Sequence, residues 1–230
     1  MDDKEIQAII AQKQALYARI PVRIVGLTPL LMNRLNPESL RSKSRMRMQE
    51  YSTETDAAAS AYLAEIGGKK QLYIPSEAMY SMIINTAKQY KLKRVSLSSL
   101  LAGTMRIEPD KIPLGTDKYV VDERAVVIQN QRVLKGRAKL LNWSATFDIV
   151  YDSSRLPTGI EETLQTILDD AGTRMGILDY RPQHRGWFGT FAIVRFGTKK
   201  NGGNGENTEQ QQAIAQPDAT PPKKRKTASK

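Results

Sequence analysis

Cysteine is absent from this chain of 230 residues, and histidine occurs once, as His184. The lack of cysteine excludes disulfides, thiol nucleophiles and thiolate metal sites, and it suits a reducing, cytoplasmic location. A zinc site or a Ser-His-Asp enzyme is disfavoured, because His184 would have to fill the role unaided. Long apolar runs are also missing, since no stretch reaches the roughly 20 apolar residues of a membrane span. We therefore expect no metal, no cofactor and no membrane partner.

The charge of the sequence is strongly one-sided. There are 35 Lys and Arg against 24 Asp and Glu, a formal net charge of +11, and the pI is about 9.8. Such a balance favours a polyanionic partner, nucleic acid before an acidic membrane surface. Solvated surface lysines are the simpler alternative. Hydrophobic residues make up 40% of the chain, enough for one domain with a sizeable core.

Composition and periodicity divide the chain into three parts. We expect an N-terminal helix within residues 1–19, a folded domain at 20–198 and a disordered basic tail at 199–230. The acidic start of the chain and its scattered polar residues do not fit a signal peptide. The tail carries a weak motif of the nuclear-localisation type, or a plain basic cluster, formed by Lys223, Lys224, Arg225 and Lys226.

The folded domain shows a β-α-β-β-α-β order of elements. The predicted segments are a strand at 21–27, a helix at 76–90, strands at 132–141 and 144–151, a helix at 160–175 and a strand at 189–196. This order is typical of an α+β, ferredoxin-like (RRM-like) domain with two helices on one face of an antiparallel sheet. Long insertions follow the first strand and the first helix. We expect the two middle strands to pair with each other.

Smaller features of the domain are also predicted. A short helix should end at Gly67-Gly68, because paired glycines often terminate helices. Strand-like pieces at 105–108 and 119–128 fall within the second insertion. In the last strand, alternation predicts Phe191 and Ile193 on one face and Val194 and Phe196 on the other.

Two stretches resemble a known family. "LYIPSEAMYSMIINTAK" is similar to the entry into the first helix of the RAMP superfamily, the RRM-like proteins of CRISPR effector complexes. "GTRMGILDYRPQHRGWFGTFAIVRF" is similar to that family's second helix, its arginine- and glycine-bearing loop and its final strand. The resemblance covers residues 20–197, and the chain also resembles small proteins of phages and mobile elements.

The resemblance implies a protein that polymerises along single-stranded nucleic acid and holds its backbone through loops. Some family members are ribonucleases. One kind uses an aspartate in the insertion after the first strand, where the candidate here is Asp56. Others process guide RNA with a histidine, for which only His184 is available. A solvated loop aspartate and a surface histidine are the simpler interpretations of these two residues.

Basic residues and one tryptophan are the candidate nucleic-acid-binding groups. An alternating basic loop suits contacts with a phosphate backbone and release of counterions. A loop beside a glycine turn can offer guanidinium groups to phosphates, and an aromatic ring can stack on a base. The candidates are Arg41, Lys43, Arg45 and Arg47 in the first insertion, Lys91, Lys93 and Arg94 after the first helix, and Arg181, Arg185 and Trp187 near the C-terminal strand.

Each candidate has a structural alternative. Cations after the first helix also favour the dipole at its C-terminal end. Trp187 could stack on a base or pack against the fold, and Gly186 and Gly189 are interpreted as turn residues. The predicted function is non-enzymatic binding of single-stranded nucleic acid, RNA in preference to DNA, by copies assembled side by side. The alternatives are a CRISPR-complex subunit with partner proteins and a guide RNA, and a phage or mobile-element scaffold protein that ignores nucleic acid.

Overall fold

The computed structural model describes residues 3–35, 52–128 and 131–197. The predicted basic loop of Arg41, Lys43, Arg45 and Arg47 and the predicted tail at 199–230 lie outside these residues. None of the described helices has the length and apolar character needed to cross a membrane. The elements are α1 (Asp3–Gln14), β1 (Tyr17–Gly26), β2 (Leu30–Leu31), α2 (Thr53–Ser60), β3 (Leu63–Ile66), β4 (Lys69–Pro75), α3 (Ser76–Ala87), β5 (Lys91–Leu92), β6 (Val95–Ser96), α4 (Leu97–Ala102), β7 (Met105–Glu108), β8 (Lys111–Pro113), β9 (Val120–Ile128), β10 (Gln131–Leu140), β11 (Ser144–Asp152), α5 (Ile160–Asp170) and β12 (Phe191–Phe196).

A four-stranded antiparallel sheet in the order β12-β1-β11-β7 forms the centre of the fold. Its strands alternate, so one face is apolar and joins the apolar sides of α3 and α5 in a single core. Ile24, Phe147 and Ile149 from the sheet meet Ile83 and Leu164 from the helices there, all of them buried. The fold is therefore α+β with mainly antiparallel sheets, as the sequence predicts.

The predicted pairing of segments 132–141 and 144–151 is wrong. The first of these segments, in β10, pairs with β9 and β2 in a separate sheet. The strand β11 pairs instead with β1 on one side and β7 on the other. The competing segment Met105–Glu108 takes the edge position because its Met105 and Ile107 are buried in the same core as β11. Alternation alone could not distinguish these two candidate partners.

The first insertion ends in a helix and a hairpin rather than in one helix reaching Gly67. Helix α2 stops at Ser60, and β3 and β4 pair across Gly67 and Gly68. Both glycines have positive φ, 60° and 72°, which is the backbone that a two-residue hairpin turn requires. The glycine pair thus marks a hairpin, and its prediction as a helix end was wrong.

Other boundaries differ by a few residues. Helix α1 ends at Gln14 and β1 already begins at Tyr17, so the predicted helix to residue 19 was too long. Helix α3 ends at Ala87, and α5 passes at Ala171 into a π-helical turn that reaches Met175. In β12 the register against β1 shifts after Ile193. This bulge brings Phe196 back toward the core and corrects the predicted facing of that residue.

Candidate nucleic-acid interface

The α5–β12 loop, residues 176–190, is fixed by its own main chain. Ile177 N–H donates to the Gly189 carbonyl at 2.9 Å, and Phe188 N–H donates to the Tyr180 carbonyl at 3.1 Å. The loop is also tied to the corner between β1 and β2. Gly189 N–H donates to the Pro29 carbonyl at 2.9 Å, and Asp179 N–H to the Leu31 carbonyl at 3.1 Å. Its shape is therefore set by backbone hydrogen bonds and does not depend on a ligand.

Two glycines allow the two sides of this loop to approach. A Cβ on Gly186 would lie 1.7 Å from the Tyr180 carbonyl oxygen, and one on Gly189 would lie 2.0 Å from the Ile177 carbonyl oxygen. Gly189 also has a φ of +69°. These glycines serve the turn, in agreement with their sequence interpretation.

Backbone strain is concentrated in the same loop. Leu178, Tyr180 and Arg185 have φ values of 62°, 48° and 61°, a region that non-glycine residues rarely adopt. Such strain persists only where surrounding structure imposes it, and it tends to cluster at functional sites. The strain at Tyr180 and Arg185 sets the directions of an aromatic ring and a guanidinium group.

Three rings and one cation form a cluster on the surface of the loop. Trp187 stacks on Phe188 with ring centroids 4.3 Å apart, and Tyr180 lies 5.9 Å from the same ring. Arg124 of β9 lies over both Phe188 and Tyr180, at 4.9 and 5.3 Å from the ring centroids. Phe188 is buried, whereas Trp187 is 53% exposed and Tyr180 is 38% exposed. The outer rings are thus supported from below and open to a ligand.

Asp122 holds Arg124 in this position. Its carboxylate accepts hydrogen bonds of 2.6 Å from Arg124 Nε and from Lys139 Nζ, and it is nearly fully buried. Burial alone would raise the pKa of Asp122, but these two hydrogen bonds outweigh it and the pKa is lowered. The β9–β10 hairpin therefore carries a fixed cation to the aromatic cluster. The sequence analysis did not predict a role for Arg124. The strand β9 and the loop are far apart in sequence, and neither carries a motif that indicates their contact.

A pocket of about 230 Å³ adjoins the loop; we call it the Asp179 pocket. Its lining residues are Asn33, Tyr62, Ala78, Leu178, Asp179 and Arg181. Arg137 Nη1 lies 3.0 Å from Asp179 Oδ2 and forms an ion pair with it. Their geometry does not form a hydrogen bond, and Arg137 Nε and Asp179 Oδ2 are both buried without a hydrogen-bond partner. Asp179 is therefore paired in charge with Arg137, but its Oδ2 and Arg137 Nε lack hydrogen-bond partners.

The two predicted loop arginines differ in burial and in their hydrogen bonds. Arg181 is half-buried: its Nη1 donates to the Leu178 carbonyl at 2.7 Å, and its Nε and Nη2 donate to Gln183 Oε1. Burial lowers the pKa of Arg181, and the neighbouring Asp179 opposes this. Arg185 and His184 are exposed in the same loop, two and three residues before Trp187 in the chain. Arg181 thus shapes the loop, and Arg185 presents charge from it.

The other predicted residues lie elsewhere. Lys91, Lys93 and Arg94 are exposed in the β5–β6 hairpin, after the C-terminal end of α3. The Asp179 pocket borders Ala78 in the first turn of the same helix. A helix of 12 residues is about 18 Å long, so this basic hairpin is a separate surface.

Asp56 lies within α2 rather than in a loop, which corrects the sequence interpretation. In residues 3–35, 52–128 and 131–197, three or more histidine or acidic side chains do not come together as a metal site.

The face of the central sheet that points away from α3 and α5 is also charged; we call it the open sheet face. Arg19 donates to Asp148 and Glu108 at 2.6 Å each. Arg106 donates to Glu108 at 2.8 Å and lies 4.6 Å from the Tyr17 ring centroid. The pKa of Glu108 is lowered by the hydrogen bonds from Arg106 and Arg19. On this face Arg19 and Arg106 are therefore paired with Glu108 and Asp148.

Among known proteins, the chain matches solved structures only. No family model matches the chain, and no curated protein matches it. Similar solved structures include "Cryo-EM structure of the Type III-B Cmr-beta bound to cognate target RNA", at 10% sequence identity and a TM-score of 0.46. That alignment covers 84% of this chain and 65% of the other, so the chain spans less than two thirds of the length it matches. The resemblance to the RAMP superfamily stays a prediction.

Proposed function

We propose that this protein binds single-stranded nucleic acid through the α5–β12 loop and does not act as an enzyme. RNA is the expected polymer, as the resemblance of the sequence implies. Binding combines stacking on exposed rings with contacts between cations and the phosphate backbone. Such contacts tolerate any sequence, because every base has a π-face and every nucleotide a phosphate.

The observation that carries this proposal is the arrangement of Trp187, Tyr180 and Arg124. An exposed tryptophan stacked on a buried ring keeps its outer face free, and its orientation costs little entropy on binding. Arg124 lies over Tyr180 and Phe188, and Arg185 is exposed in the same loop. Exposed rings together with cations are typical of single-strand platforms, where stacking and charge act together.

We also propose a ferredoxin-like domain of the RAMP type, with Met105–Glu108 as its second strand. The order β12-β1-β11-β7, with α3 before β7 and α5 before β12, supports this. Assembly of copies along the strand is a further part of the proposal. The exposed apolar Ile6 of α1 and Leu16 after it offer contact surface for a neighbouring copy. Light scattering with RNA of increasing length tests assembly, which requires a mass that rises stepwise with RNA length.

The test of binding is fluorescence anisotropy with labelled oligo-U and oligo-dT of 20 nucleotides, at several salt concentrations. We expect steep salt dependence and preference for the RNA. Trp187→Ala should weaken binding by about 5- to 150-fold, the equivalent of ~1–3 kcal/mol for one stacked base. The variant lacking the cations at 41, 43, 45 and 47 should reduce the salt slope.

Val194→Ala is the matched control for Trp187→Ala, because Val194 is also an exposed apolar residue, at 60%, and lies in β12 away from the loop. It should leave affinity unchanged. Absence of binding by the wild-type protein at low salt would refute the proposal. If Trp187→Ala and Val194→Ala bind with equal affinity, the binding site does not include Trp187 and lies outside the loop.

A further inference from the structure

We propose that Arg23 and Arg195 form a second phosphate-binding site, on the open sheet face and apart from the α5–β12 loop. The two arginines are direct partners in the register of β1 and β12, and the partner of Arg23 in β11 is Thr146. We call these three residues the Arg23 row. The inference rests on the proposed function in one respect, because it assigns the phosphate to a nucleic-acid strand.

The Arg23 row lies on the open sheet face because its neighbours in the chain occupy the opposite face. Val22 and Ile24, on either side of Arg23, are buried in the core that α3 and α5 cover. Directly paired residues of neighbouring strands point to the same face, so Arg195 and Thr146 lie beside Arg23. All three residues are exposed. The row therefore crosses three hydrogen-bonded strands and faces solvent.

The two arginines oppose each other without an acidic partner. Paired residues of adjacent strands hold their Cβ atoms about 4.5–5.5 Å apart, and like charges in this position destabilise a sheet. Within the described residues the Arg23 side chain has no ion pair or hydrogen bond, and Arg195 donates only from Nε to the Gly197 carbonyl, at 3.4 Å. Asp148, the acidic residue of β11 closest to this row, is bound by Arg19 at 2.6 Å. An anion between the guanidinium groups would relieve the repulsion.

The donors of the Arg23 row suit a phosphate group. Ser144 lies on the same face of β11 as Thr146, and in the described part of the chain neither hydroxyl has a hydrogen-bond partner. Arginine and hydroxyl side chains are common donors to phosphate oxygens in nucleic-acid complexes. A hollow of about 310 Å³ adjoins the row, lined by these two hydroxyl residues together with Pro113 and Leu114. It gives room for the sugar and base that a backbone phosphate carries.

One strand can reach both the loop and the Arg23 row. The loop ends at Thr190, and Arg195 is the fifth residue after it, a distance of about 16 Å in an extended strand. A stacked nucleic-acid strand, with phosphates ~3.4 Å apart, covers this distance in about five nucleotides. Two sites on one strand strengthen each other, because the second contact is made within the complex. The row therefore extends the proposed interface beyond the aromatic cluster.

The first test is fluorescence anisotropy of the full-length protein with labelled oligo-U of 20 nucleotides, at several salt concentrations. The double variant Arg23→Gln/Arg195→Gln should weaken binding severalfold and reduce the slope of log affinity against log salt by about 1, the value for one phosphate contact. Thr146→Val removes a hydroxyl and no charge, so it should weaken binding at an unchanged slope. Lys69→Gln/Lys70→Gln is the matched control, since it removes the same charge from exposed residues at the turn between β3 and β4. It should change neither quantity.

The second test needs no nucleic acid. Melting temperatures of the wild type and of Arg23→Gln/Arg195→Gln are compared in inorganic phosphate and in chloride at equal ionic strength. Phosphate stabilises many proteins by exclusion from their surface, and the gain of the variant measures that general effect. We expect the wild type to gain about 2–4 °C more than the variant, because phosphate binds the folded row. In chloride the variant should melt no lower than the wild type, which also shows that it folds.

The outcomes separate this inference from the proposed function. If oligo-U binds the wild type and Arg23→Gln/Arg195→Gln equally well, the row is refuted and the proposed function stands. If Lys69→Gln/Lys70→Gln lowers affinity and slope as much as the arginine variant, net charge is responsible and the row is again refuted. An equal gain of both proteins in phosphate also refutes the site. If no strand binds but the wild type alone gains in phosphate, the proposed function fails and the row binds a free phosphate-bearing ligand.

Discussion

The open sheet face and the α5–β12 loop both display arginines and aromatic rings, yet they differ in how these groups are used. On the open sheet face, Arg19 and Arg106 are bound to Glu108 and Asp148, and Tyr17 lies beside Arg106. In the loop, Arg185 and the outer faces of Trp187 and Tyr180 are left to solvent. The number of basic residues is thus a poor guide to a binding surface. What distinguishes the loop is that exposed ring surface and an exposed arginine stand on a strained backbone.

Among variants that test the difference between the two surfaces, we expect the largest loss of stability from a change in the backbone of the α5–β12 loop. Gly189→Ala would place a Cβ 2.0 Å from the Ile177 carbonyl oxygen at a φ of +69°. We expect a loss of about 3–5 kcal/mol in the free energy of unfolding, measured with urea. Gly68→Ala is the matched control, with a φ of +72° and no atom within 4 Å of its Cβ. It should cost only ~1–2 kcal/mol. Equal losses would mean that the close approach is relieved elsewhere.

The next effect concerns the ion pair that supports the aromatic cluster. Asp122→Ala leaves Arg124 and Lys139 without their buried partner, and we expect it to cost about 2–3 kcal/mol of stability and to lower RNA affinity. Urea unfolding and anisotropy measure the two losses. Asp117→Ala is the surface control and should change neither. Unchanged affinity in a folded Asp122→Ala protein would show that Arg124 does not contribute to binding.

A smaller effect separates free arginines from paired ones. Arg185→Ala should weaken RNA binding severalfold and reduce the slope of log affinity against log salt by about 1, the value for one phosphate contact. Arg19→Ala removes an equal charge from the open sheet face and should leave the slope unchanged, because Asp148 and Glu108 already neutralise Arg19. If both variants lower the slope equally, RNA binding depends on the net charge of the protein and not on the position of Arg185.

The smallest effect is the pH dependence of the open sheet face. Arg106 and Arg19 lower the pKa of Glu108 in the folded protein below its ordinary 4.5. This carboxylate therefore adds stability above pH 4.5, and the contribution is lost as the pH falls through the lowered folded pKa. Glu108→Gln should cost less than about 1 kcal/mol at pH 7, because the pair is partly exposed, and less still at pH 2, where protonation of Glu108 is favoured. The measurement is the urea midpoint of the wild type and of Glu108→Gln at each pH. If the difference between the two proteins is the same at both pH values, titration of Glu108 is not its cause.

Local patterns predicted several elements of the fold well. The apolar spacing after Ser76 predicted α3, and alternation from Ala145 to Tyr151 predicted β11, because periodicity reports one buried face. Pairing was harder to predict. The segment Met105–Glu108 is short and was assigned to an insertion, yet it forms the edge of the central sheet beside β11. Register between distant strands depends on which apolar face fits the core, and that information is not local.

The candidate site was predicted in part. Arg185 and Trp187 are exposed in the loop where the sequence placed them, whereas Arg181 turned out to be engaged in holding that loop. Arg124, Asn33 and Tyr62 reach the site from three other parts of the chain and carry no motif of their own. Their contributions depend on tertiary contacts, which no single stretch of sequence reveals. Their binding roles, like those of the basic residues at 41–47, stay predictions.

The main-chain ties of the α5–β12 loop to Pro29 and Leu31 have an evolutionary consequence. The scaffold that holds the loop depends on main-chain carbonyls and amide hydrogens, on Gly186 and Gly189 and on the Arg181 side chain, and hardly on which side chains occupy positions 184, 185 and 187. Those side chains are therefore free to diverge without loss of the fold. A lineage could retune what this surface recognises by a few substitutions, and a library varied at these positions alone would sample new ligands on an intact frame.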